Sequence, residues 1–159
     1  MPTFSKLEIA RSQLETAVEI LLNRQCLSAV ITLAGASSTI LDELVRREKK
    51  ETFLDYSIRI REATSGKTPK KQSYKHHIEK LLGVIAHKHM AITDSDHIEL
   101  DLERMAADVT TAAVCDYIKL NGQSETFIKA FLAWRWATTP NASEIMKQFE
   151  KVPHKLQPR

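Results

Sequence analysis

Apolar residues recur every three to four positions through most of the chain, and the places where that recurrence loses phase divide it into helices. The longest uninterrupted stretch is 27–47, LSAVITLAGASSTILDELVRR. Here Leu27, Val30, Ile31, Ala34, Leu41, Leu44 and Val45 keep helical spacing, and the other faces carry Ser, Thr, Ala and Gly rather than charge until Asp42. This predicts a central helix enclosed by the rest of the fold. Its polar Ser37, Ser38, Thr39, Asp42 and Glu43 point to a protein core rather than a membrane span. Before it, Leu7, Ala10, Leu14, Ala17, Val18, Leu21 and Leu22 form one clean stripe, opened by a capping box at Ser5 and Glu8. The intervening turn over 23–26 is short enough to make the two helices antiparallel neighbours.

Beyond the centre the pattern predicts five more helices. One runs over 52–65 with Gly66 as its stop, and a loop rich in Gly, Pro and Lys follows over 66–73. Ser73 is placed to cap a fourth helix, whose stripe of Tyr74, Ile78, Leu81, Leu82 and Ile85 extends in phase to His89. A polar loop over 91–98 leads to a helix over 101–121, stopped by Asn121-Gly122, with Leu102, Met105, Val109, Ala112, Ala113, Tyr117 and Leu120 facing inward. The next begins at Ser124 and is aromatic. Trp134 and Trp136 stand two apart and so face different directions, which marks one of them as an interface residue. A second capping box, Asn141 to Glu144, opens a last short helix carrying Ile145, Met146 and Phe149. The expected architecture is an all-α, up-and-down bundle of five to seven helices. Residues 1–150 form a single domain and 151–159 a flexible tail.

Composition agrees with this picture. Only four Gly occur, and none of the five Pro lies inside a strongly periodic stretch; Gly35, in the central helix, fits close packing better than ligand contact. With 159 residues the chain can bury a core without disulfide or metal staples. Cys26 and Cys115 have no metal-like spacing, and the first residues become charged without an apolar run, so a reducing cytoplasm is expected and no export. A net charge of +3 is too small to imply nucleic acid by itself.

Local charge is more informative. Between Lys67 and Lys88 stand six lysines (67, 70, 71, 75, 80 and 88) against the single acid Glu79, with Tyr74 among them. Such a run either attracts phosphates, with free amides at the start of the fourth helix, or forms a solvated or self-complementary surface that pairs in a dimer with the acidic stretch of Asp94, Asp96, Glu99, Asp101 and Glu103. Lys70, Lys71, Lys75, Lys88 and His89 are the candidate binding residues, for RNA or a nucleotide. Five histidines (76, 77, 87, 89 and 97) lie in the same region, but only His76 with Glu79 has the spacing of a helical ligand pair, so no metal and no cofactor is expected. No phosphate-binding glycine loop and no nucleophile elbow occurs.

The antiparallel opening pair, Leu33-Ala34-Gly35-Ala36 with Ile40-Leu41, Lys88-His89, and Phe131 three residues before Trp134 resemble a group of small bacterial helical proteins. Those in turn resemble the HEPN superfamily of helical bundles. The resemblance covers about 6–140. Where those relatives carry Asn-Phe-x-Lys-His-Ala-Asp, this chain retains only Lys88 and His89. Catalytic HEPN proteins are metal-independent ribonucleases with an Arg followed five to seven residues later by a His, and no arginine here has a histidine at that distance. The resemblance therefore implies a non-catalytic, dimeric binding or interaction module. The alternatives are a divergent ribonuclease using His89 and Lys88, or a purely structural dimer.

Overall fold

A computed structural model describes residues 1–88 and 97–159 of the chain. It is an all-helical bundle with seven α-helices among the described residues. Ser5 starts α1 (Lys6–Leu22) as its sequence requires: its hydroxyl accepts from the Glu8 amide at 3.1 Å and its own amide donates to the Glu8 carboxylate at 2.6 Å. The chain turns over 23–26, where Arg24 takes a left-handed φ of 50°, and returns as α2 (Leu27–Arg47). The third member of the inner layer is α5 (Leu102–Asn121), capped by Asp101 and stopped by Gly122.

These three helices make the core. Leu14, Val18, Val30, Ile31, Leu41, Val109, Val114 and Tyr117 are all excluded from solvent. Each large aliphatic side chain so buried contributes about 1.5–3 kcal/mol. Small residues set the spacing: Ala10, Ala17, Ala34, Ala106 and Ala113 are fully buried, and the buried Ser37 hydroxyl donates to the Ala10 carbonyl at 2.8 Å, tying α2 to α1. By length and apolarity α2 is long enough to cross a membrane, but here it is the helix that α1 and α5 enclose.

Helix α6 (Thr126–Thr138) closes the layer with Phe127, Ile128 and Phe131. At its start the Glu125 carboxylate takes the Arg11 guanidinium at 2.5 Å and the Tyr117 hydroxyl, locking α6 to both α1 and α5. Trp134 packs against Phe131, ring centres 5.8 Å apart, while Trp136 is 52% exposed, so the two tryptophans do divide between core and surface. The cap expected at 141–144 does not form. Asn141 lies in the left-handed region and makes no side-chain bond to α7 (Ala142–Glu150), whose Ile145, Met146 and Phe149 are exposed. The last residues come back to α3 (Phe53–Ser65): Arg59 donates to the carbonyls of Lys155 and Gln157, and the Arg159 amide to Glu51.

The fourth helix departs from its predicted course at both ends. It begins before Ser73, as α4 (Lys71–Leu81), with Lys70 at the cap position and no side-chain cap. It ends at Gly83 (φ 74°), whose amide donates to the Lys80 carbonyl while that of Val84 donates to Glu79, a Schellman stop. The apolar phase that continues toward His89 is thus carried by a turn. His89 itself lies outside the described residues. No residue of α4 is fully buried, and Leu81, expected inward, is 53% exposed. The buried contact comes from Val84, two residues past the helix cap. Its methyls sit where a Cβ on Gly35 would be 3.0 Å away, so Gly35 serves close packing, against a turn rather than a helix.

Candidate functional site

Around α4 the molecule presents two unlike surfaces, and the sequence-predicted residues are divided between them. The inner one is a cleft lined by Gly35, Ser38, Asp42, Leu54, Lys75, Ile78, Val84 and Asp116 among others, from α2, α3, α4, α5 and the turn after α4. Its charged rim starts from the beginning of α3. Thr52 caps that helix, its hydroxyl accepting from the Asp55 amide at 3.1 Å. From α2, Arg46 reaches over and binds Asp42 through two nitrogens (2.9 and 3.1 Å), Asp55 at 2.6 Å and Thr52 at 3.1 Å. Lys71 takes the other oxygen of Asp55 at 3.0 Å. Burial works against the charge on Asp55, yet the hydrogen bonds from Lys71 and Arg46 outweigh it and hold the carboxyl below its ordinary value.

Asp116 is the unusual group. It projects from α5 to the start of α3, where its Oδ1 accepts the Phe53 amide at 2.7 Å, a sensible place for an anion because first-turn amides lack helical partners. It is nevertheless 2% exposed. Burial, with Asp42 nearby, pushes its pKa up to about 7 despite the Phe53 hydrogen bond. Burial also pushes the adjacent Cys115 thiol up to about 11, which disfavours its thiolate form.

The outer surface is a shallow groove between α3 and α4, lined by Tyr56, Ser57, Ile60, Arg61, Thr64 and Tyr74. Tyr74 donates weakly to the Ser57 carbonyl (3.5 Å) and its ring lies 6.2 Å from that of His77. Arg61, which lines it, and Lys67 and Lys70, which stand between α3 and α4 in the chain, are exposed and make no ion pair among the described residues.

The four candidate residues that are described, Lys70, Lys71, Lys75 and Lys88, are spread over different surroundings, and His89 lies outside the described residues. Lys70 stands exposed at the α4 cap, Lys71 is committed to Asp55, and Lys75 lies half-buried at the inner cleft. Lys88 is exposed in the turn beyond the far end of α4, an eleven-residue helix of about 16 Å. Sequence reasoning missed Asp116, Arg46 and Arg61. The signal for Asp116 was present, an acid amid Ala112, Ala113, Val114 and Tyr117 on a helix with an inward face, but it read as one polar position among many. Among the described residues no group of three potential metal ligands occurs. The chain matches no family model, no curated protein and no solved structure.

Proposed function

We propose that this chain is a non-catalytic, cytoplasmic binding module that works as a homodimer and holds single-stranded RNA on the outer face of α3 and α4. The observation that carries the reading is the groove between those helices. Tyr74 there offers a stacking surface, Tyr56 carries the Arg59 guanidinium over its ring, and the exposed Arg61, Lys67 and Lys70, from α3 and the segment leading into α4, make no ion pair among the described residues. Stacking on aromatic rings beside a basic track is how single strands are held without base-specific hydrogen bonds, at about 1–3 kcal/mol per stacked base. The uncapped first turn of α4 adds free amides at the same end. Free cysteines fit a reducing compartment, and the exposed Trp136 fits a chain that pairs with a copy of itself.

Fluorescence anisotropy with a short RNA tests this. Replacing Arg61, Lys67 and Lys70 together with Ala should weaken binding by at least tenfold and leave helicity unchanged; unaltered binding would refute the surface. Intact RNA after incubation is the expected companion result, and cleavage products would overturn the non-catalytic part. Sedimentation at micromolar concentration should show a dimer, and a monomer would contradict the assembly.

A further inference from the structure

The cleft beneath α4 contains a carboxylate that the fold satisfies only by half. Asp116 is 2% exposed; its Oδ1 accepts the Phe53 amide, while Oδ2 has no hydrogen-bond donor among the described residues. The cleft it lines has an open volume of about 50 Å³. A single water needs about 10–15 Å³, so the space takes a few waters or a small ligand headgroup. Its walls are mostly apolar, with Leu54, Ile78, Val84 and Val109 prominent.

Four cations stand around Asp116, and none of them donates to its Oδ2 among the described residues. From α2 come Asp42 and Arg46, from α3 Asp55, from α4 Lys71, Lys75 and Glu79, with Lys71 held by Asp55, and from its own helix Cys115 and Lys119. Arg46 is divided between Asp42 and Asp55, and the Lys119 ammonium is bound to the Glu51 carbonyl. Lys75 makes no ion pair among the described residues, and at half burial it stands at the cleft rather than on Asp116. A neutral occupant would leave the buried charge uncompensated, and too few oxygen ligands converge to hold a metal ion.

We propose that this cleft binds a small aliphatic primary ammonium ion, its N–H groups on Asp116 Oδ2 and its alkyl chain against Leu54, Ile78 and Val84. The site is separate from the RNA surface, with which it shares no lining residue.

Calorimetric titration of the full chain with n-butylammonium, and with n-butanol as its neutral counterpart, tests the assignment. At about pH 8 butylammonium should bind at least tenfold more tightly than butanol. Its affinity should fall about tenfold for each pH unit below about 7, where Asp116 must first lose a proton. Asp116→Asn keeps an oxygen for the Phe53 amide but no charge, and should weaken butylammonium at least tenfold while RNA binding persists. Absence of butylammonium binding at millimolar concentration, equal affinity for butanol, or undiminished binding by Asp116→Asn would each overturn the site. Should that variant fail to fold, the butanol comparison and the pH profile of the unaltered chain decide.

Discussion

Two adjacent residues of α5 belong to two different kinds of interior. Tyr117 faces the layer of α1, α2 and α6, where contacts are apolar and its hydroxyl finds Glu125. Asp116 faces the cleft beneath α4, where charges are joined into a network and one buried carboxylate is half satisfied. The first region repays ordering its side chains through area alone. The second is held by directional bonds whose strength depends on pH and on every partner being present. A bundle whose stability resides in the first region can tolerate a poorly optimised second one, and that is where a binding site can be built.

The comparison can be broken by substitution. Phe131→Ala in the apolar layer should cost about 3–5 kcal/mol, read from denaturant unfolding, since it leaves a cavity in a region with no slack. Arg46→Ala should cost less, about 2–3 kcal/mol, because the carboxylates it leaves behind are only partly buried and can rehydrate. A loss equal to that of Phe131→Ala would mean that the network, too, is part of the core.

Asp116→Asn should have the opposite sign. The carboxyl titrates near 3.8 in the unfolded chain and near 7 in the folded one, so between those values the folded state holds the extra proton. Its contribution is most favourable below about pH 4, declines as pH rises to 7, and is constant above, costing at most about 4 kcal/mol. The variant should therefore be about 2 kcal/mol more stable than the unaltered chain at pH 8, with the gap closing toward pH 5. Thermal unfolding at both pH values checks this, and a gap that widens on acidification would contradict the buried-carboxylate account. The smallest effect is expected at Gly83→Ala, about 1–2 kcal/mol, since a Cβ there meets the Met105 sulfur at 2.9 Å and φ is 74°.

The same contrast explains what could be read from the amino-acid order. Apolar periodicity located α1, α2 and α5 to within a residue or so, because burial against neighbouring helices is what creates the period. It failed at α4 because that helix buries nothing completely: Leu81 kept the phase of an inward position while lying exposed, and Gly83 stopped the helix where the phase ran on. The lysines were visible as a run, but a helix sends neighbours to different sides, and only the fold separates Lys70 from Lys75. Arg46 looked like part of a solvated helix end. Its partners Thr52 and Asp55 come from the helix that follows, so no local pattern announces the network. Asp116 is paired with a backbone amide 63 positions earlier, beyond any spacing rule.

The measurement that bears most directly on the central claim is the salt dependence of RNA binding. If three or four phosphates meet the cations around the α3–α4 groove, a plot of log affinity against log salt should have a slope of about −2 to −3, and the Arg61, Lys67 and Lys70 triple variant should flatten it. A slope near zero, or one that the triple substitution leaves unchanged, would show that this face does not hold nucleic acid.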